Sequence, residues 1–120
     1  MISVLHTEAS RGWGGQELRI LTEIDWMRSR EWRVLLACQP GSEILARAIR
    51  AGVHAVPLPM RGVWDLGTLT RLVTFIRREH VDLVHTHSSV DSWLGGMAGR
   101  LAGVPVVRSR HVSIPVRSRW

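Results

Sequence analysis

Residues 2–21, ISVLHTEASRGWGGQELRIL, decide the fold. A short apolar run, ISVL, leads into a loop holding Gly12, Gly14 and Gly15, and the loop opens a segment where Leu18, Leu21, Ile24 and Met27 recur every three residues. A brief run rich in Val, Leu and Ile has the pattern of a strand buried on both faces, and the segment after it has a helical period. Strand, glycine loop and helix in that order form the opening unit of an α/β sheet. A tight turn needs one or two glycines. A third points either to a turn of positive φ angles or to something that approaches the backbone closely.

The same alternation continues along the chain. VLLAC, VHAVPL, VDLVH and VPVV read as four further strands. Helical stripes lie between most of them: Ile44, Leu45, Ala48 and Ile49; then Leu66, Leu69, Leu72, Val73 and Ile76; then Leu94, Met97, Ala98 and Leu101. Ser42 and Asp65 stand where N-caps belong, and AG at 51–52 and AGVP at 102–105 stand where helices stop. The order β-α-β-α-β-α-β-α-β predicts an α/β fold, a Rossmann-like doubly wound parallel sheet in a single domain with helices on both faces. PLPMRGVWD, residues 57–65, is the one loop of note. The final RHVSIPVRSRW carries no helix signal. A doubly wound domain ordinarily continues past such a strand, so the chain is expected to be part of a longer protein.

Bulk properties narrow the function. The chain has 120 residues, enough for one domain with a real core. No stretch approaches the roughly 20 apolar residues of a membrane span, and the N-terminus has no secretory pattern. Cys38 is the single cysteine, so no internal disulfide forms and a reducing, cytoplasmic setting is expected. The formal net charge is +6 and every Lys-or-Arg position is arginine, which suits phosphate and carboxylate capture as well as a plain solvated surface. The basic residues form no stripe interleaved with aromatics, so nucleic-acid binding is not expected.

The first turn lies at the carboxyl edge of the sheet, where a helix N-terminus offers free N–H groups to an anion. Gly14 and Gly15 could cradle a diphosphate there, although the spacing is neither G-x-G-x-x-G nor a lysine-bearing phosphate loop. His6, His85, His87 and His111 are read at strand ends on that same edge, with strands one and four side by side and strand five beyond four. They suit a metal site with a carboxylate such as Glu8 or Asp91, a general base or polar contact, or ordinary structural histidines. Glu8, Arg11, Asp91, Arg108 and Arg110 fall near the same edge. Trp26 and Trp93 read as parts of helical stripes, whereas Trp13 and Trp64 sit in loops.

These motifs, followed by VDLVHTHSSVDSWLGGMAGRLAGVPVVRSRHVS, resemble the N-terminal domain of the glycosyltransferase family 4 type, which has the GT-B fold. The likeness is strongest to bacterial transferases that build lipopolysaccharide or other surface polysaccharides. The resemblance implies half of a GT-B architecture, in which this domain serves the acceptor and a second domain, not contained in these residues, binds most of the nucleotide-sugar donor. It implies a retaining transfer to a glycan or lipid-linked acceptor, usually without a metal and with no resident cofactor, so no metal ligand is assigned. Gly14 and Gly15 map to the donor diphosphate, His111 to the transferred sugar as the catalytic candidate, and His87 to the acceptor side. Glu8 and Arg110 complete the candidate substrate contacts. These residues alone are expected to be inactive. Peripheral contact with the inner face of a membrane fits a lipid-linked acceptor, and the third helix, with Arg71, Arg77 and Arg78, is the candidate surface. A non-catalytic α/β binding module and a metal-dependent enzyme using His85 and His87 stand as alternative readings.

Overall fold

The computed structural model describes residues 1–109. Nine elements follow one another: β1 (Ser3–Glu8), α1 (Gly15–Ser29), β2 (Arg33–Cys38), α2 (Glu43–Arg50), β3 (His54–Pro57), α3 (Leu66–Arg78), β4 (Leu83–Thr86), α4 (Ser89–Ala102) and β5 (Val106–Arg108). All strand pairs are parallel, in the order β3-β2-β1-β4-β5. The alternating fold read from the sequence is therefore the fold observed, with β1 and β4 adjacent and β5 beyond β4. Every residue of β1 is buried, as its place at the centre of a doubly covered sheet requires.

The core divides across the sheet. Ile20, Ile24, Val34, Leu36, Cys38, Ile44 and Ala48 pack under α1 and α2. Leu5, Leu35, Ala37, Leu72, Ile76, Val84, Leu94 and Ala98 pack under α3 and α4. Both expected caps are in place: Ser42 Oγ accepts the Leu45 N–H at 3.3 Å, and Asp65 Oδ1 accepts the Thr68 N–H at 3.2 Å. Gly103 ends α4 in the left-handed conformation at φ 79°, which only glycine enters without strain.

The helical stripes are narrower than the sequence suggests. Leu18 is 57% exposed, Ile49 58%, Leu66 66% and Leu101 54%. A strict three-residue spacing slips 60° around a helix at every step, whereas a fixed face follows steps of three and four. The buried side of α1 accordingly runs Glu17, Ile20, Ile24. Trp26 and Trp93 are also largely outside rather than within packed stripes. Trp26 stands edge-on to Trp32 with the Arg30 guanidinium over its ring.

Two glycines set how closely α4 lies on the sheet. A Cβ on Gly95 would sit 2.8 Å from the Thr86 methyl, and one on Gly99 would collide with Val106. Gly95 and Gly99 of α4 thus owe their places to packing rather than to turning.

Candidate functional site

The strand order reverses between β1 and β4, the position at which open α/β sheets bind ligands beyond their carboxyl ends. Residues 9–14 join β1 to α1 across this edge. Gly14 is the N-cap of α1, extended at φ −165°, and it offers no side chain to the free amides of the first turn. The positive-φ glycines among the described residues are Gly41, Gly52 and Gly103. Gly12, Gly14 and Gly15 are not among them, so the strained-turn explanation fails. Packing does not demand them either: an added Cβ meets nothing within 4 Å at Gly15, only the Glu17 carboxylate at 3.7 Å at Gly14, and only Ser10 Oγ at 4.0 Å at Gly12.

Beneath this loop lies Glu8, fully buried and receiving two hydrogen bonds from the Gln16 amide at 3.1 and 2.8 Å. Burial, and then the nearby charges of Asp91 and Glu17, push its carboxyl up to about 8. Glu8 is thus largely protonated at neutral pH and holds Gln16 at the rim of the crevice. Asp91 has a different task. It accepts the Thr7 hydroxyl at 2.7 Å, the His87 and Ser88 amides at 2.9 and 2.8 Å, the Ala9 amide at 3.3 Å, and the Ser88 hydroxyl. It is the capping carboxylate of α4, tying β1, β4 and that helix together. Burial raises its carboxyl while these bonds pull it back.

His6 lies inside β1 rather than at its end, in register with His85 of β4. His87 follows β4 on the same face. The three rings form one stack, with centroids 4.8 Å apart for His6 and His85, 5.1 Å for His6 and His87, and 4.4 Å for His85 and His87. His6 Nδ1 and His87 Nε2 share a hydrogen bond of 2.8 Å. Burial first, and the neighbouring His85 second, drive the His6 imidazole down to about 3, so it is neutral. The carboxylate that joins the histidines is Glu23 of α1; Glu8 and Asp91, expected from the sequence, do not. Its signal was present: Glu23 lies at helical spacing between Ile20 and Met27, on the inward stripe.

Gln39 was also missed. It is buried and gives or accepts three bonds, to the Ala9 carbonyl at 3.0 Å, the Met60 carbonyl at 2.7 Å and the Met60 amide at 3.0 Å. Trp13 anchors the glycine loop, packed on the α1/α2 core with Arg47 stacked 4.0 Å above its ring. Arg11 reaches the Pro40 carbonyl at 3.2 Å, and Arg108 closes β5 with its side chain exposed. Arg110 and His111 lie outside the described residues.

Away from the crevice, Val63, Trp64, Leu66, Leu69, Trp93, Leu94, Met97 and Leu101 line an apolar groove of about 210 Å³ between α3 and α4. Trp64 is 81% exposed. Among the described residues no helix is long and apolar enough to cross a membrane.

Comparison with known proteins gives a consistent picture. An Escherichia coli UDP-Gal:alpha-D-GlcNAc-diphosphoundecaprenol alpha-1,3-galactosyltransferase is 31% identical over 112 residues, 88% of this chain and 28% of that protein. Acinetobacter baumannii MurG shares the fold with a TM-score of 0.79 at 17% identity, over 97% of this chain and 37% of that one. Anabaena HepE, solved in complex with UDP and glucose, gives 0.73 at 17% identity over 90% of this chain and 29% of its own. The chain thus spans little more than a third of these relatives at most, and its sheet matches the Rossmann-like N-terminal domains of GT-B glycosyltransferases. The family description Glycosyltransferase Family 4 matches residues 13–120, and the chain belongs to that family.

Proposed function

We propose that these residues form the N-terminal, acceptor-side domain of a retaining glycosyltransferase that moves a sugar from a nucleotide-sugar donor to a cell-surface polysaccharide or lipid-linked acceptor. The glycine loop carries this reading. Gly14 and Gly15 are required neither by backbone angle nor by packing, and they stand at the head of a 15-residue helix. A donor diphosphate there would meet free N–H groups and the positive end of the helix dipole. Cβ atoms at these positions would hold it off. The UDP of the HepE complex and the diphosphoundecaprenol in the galactosyltransferase's name support a nucleotide-sugar donor and a lipid-linked acceptor.

In this scheme Glu8 positions Gln16 at the donor edge and His87 floors the acceptor side. His111 keeps the role that the family resemblance gives it, contact with the transferred sugar, and Arg110 keeps the substrate contact read from its place near the sheet edge. Departure of the nucleoside diphosphate builds negative charge that preorganised donors must stabilise. A second domain supplies most of them, so the 120 residues alone are inactive, and transfer requires no resident cofactor. The enzyme works at the cytoplasmic face of a membrane. The apolar groove around Trp64, in a chain of net charge +6, rests on anionic lipid. The arginine face of α3, with Arg71, Arg77 and Arg78, is a second candidate for that contact.

The test is to read the DNA beyond codon 120 and assay the complete product with labelled UDP-hexose and a diphosphoundecaprenol-linked sugar. A second Rossmann-like domain, and transfer that falls at least about tenfold in Gly15→Val, would support the proposal. An immediate stop codon, or full activity in Gly15→Val, would overturn it in favour of a binding module.

A further inference from the structure

We propose that His6, Glu23, His85 and His87 form a structural zinc site that pins α1 to β1 and β4. One donor atom from each residue lies within 4.8 Å of the others. β1 and α1 follow one another, but His85 and His87 stand at the end of the much later β4, so the fold itself assembles the group. Glu23 Oε1 is buried, 3.9 Å from His85 Nδ1, and accepts no hydrogen bond among the described residues. A carboxylate oxygen withdrawn from water without a donor is costly. Three imidazoles stacked with centroids 4.4–5.1 Å apart cannot all be cationic without strong mutual repulsion. The cluster therefore offers imidazole lone pairs and one anionic oxygen, and a cation answers both needs.

Three nitrogens and one carboxylate oxygen form a borderline donor set that selects zinc over magnesium or calcium, which require oxygen ligands. Four protein ligands complete a tetrahedron, the arrangement of a structural site, so the metal takes no part in sugar transfer. Zn–N distances of about 2.0–2.1 Å place tetrahedral donors roughly 3.4 Å apart. Closure needs the His6–His87 hydrogen bond to give way and the Glu23 side chain, which is 33% exposed, to swing inward. Met27 Sδ, 3.3 Å from His6 Nε2, backs the His6 ring on its other edge.

The experiment uses the untagged 120-residue chain, stripped with a chelator and titrated calorimetrically with zinc chloride, with magnesium chloride in parallel. One equivalent of zinc binds, magnesium does not, and zinc raises the Tm. Glu23→Gln keeps the side-chain volume at a partly buried helix position and weakens zinc by at least about tenfold, while the circular dichroism of the folded chain is unchanged. Zinc-edge X-ray absorption on the unsubstituted chain gives three imidazole nitrogens and one oxygen, a readout that no folding defect of a variant can blur. Failure to saturate at one equivalent, an absorption spectrum with fewer than two imidazoles, or undiminished affinity in a folded Glu23→Gln would overturn the proposal.

Discussion

On one side of β1 and β4, Gly95 lets α4 descend until an added Cβ would lie 2.8 Å from Thr86, and Asp91 collects donors from Thr7, Ala9, His87 and Ser88. On the other side, the same two strands turn His6, Glu8, His85 and His87 toward α1, and the packing is polar and titratable. Adjacent residues on a strand point to opposite faces, so a stretch as short as His6-Thr7-Glu8 serves both. One face fixes the geometry of the crevice by close contact and saturated hydrogen bonds. The other leaves buried titratable groups, among them His6 and Glu8. In this sheet the rigid and the responsive halves share a backbone.

Breaking the rigid half should have the largest effect. Asp91→Ala strands several buried donors at once, and urea unfolding should show a loss of about 3 kcal/mol or more. A loss below about 1 kcal/mol would mean that water replaces the carboxylate and that the two faces are less unlike than they look. Glycine substitutions sharpen the contrast. Gly99→Ala forces α4 off Val106 and should cost about 1–3 kcal/mol. Gly15→Ala adds a better helix former in open space and should leave stability unchanged or raise it by up to about 1 kcal/mol. Equal losses at both positions would break the distinction between a glycine kept for packing and one kept for a ligand.

The responsive half should show itself through pH. Glu8 titrates near 8 when folded and near 4.5 as its ordinary value, so the folded chain binds more protons between those limits. Stability from this group is complete below about pH 4.5 and is lost as pH rises through 8. His6 acts in the opposite sense: its folded value near 3 lies below the ordinary 6.5, so its contribution is complete above 6.5 and is lost as pH falls toward 3. The two slopes oppose each other between about 4.5 and 6.5. The unfolding free energy from urea titration should therefore be flat there and decline by up to about 1.4 kcal/mol per pH unit from pH 6.5 to 8. Glu8→Gln should remove that alkaline decline. An unchanged profile in the variant would move the cause elsewhere. The smallest effect on stability belongs to Trp64→Ala, within about 0.5 kcal/mol. The same change should cut sedimentation with anionic vesicles several-fold, and unaltered sedimentation would exclude the groove as a lipid contact.

The element order, the strand neighbours and the caps at Ser42 and Asp65 were legible because they depend on local pattern: apolar runs, helical stripes and turn residues. The place of the glycine loop was legible for the same reason, but its freedom from positive φ was not, since the same letters also spell a strained turn. Leu18, Leu66 and Leu101 misled because hydrophobicity says that a side chain prefers burial and not that a partner is there. Glu23 and Gln39 escaped notice because a buried polar group is recognisable only through what it meets, and what they meet lies on other elements. Asp91 was correctly located near the edge, yet its work as a cap depended on Thr7 and Ala9, more than eighty residues away in sequence.

Gln39 gives the crevice a mechanical property. One side chain bolts the loop after β1, through Ala9, to the loop after β3, through Met60, while its own backbone belongs to the loop after β2. Three loops are thereby joined into a single lip. Ala9 and Met60 are therefore held to one another through a single amide group. The rim of the crevice is thus built from three loops that share one side chain, so a change at Gln39 would reach all three at once.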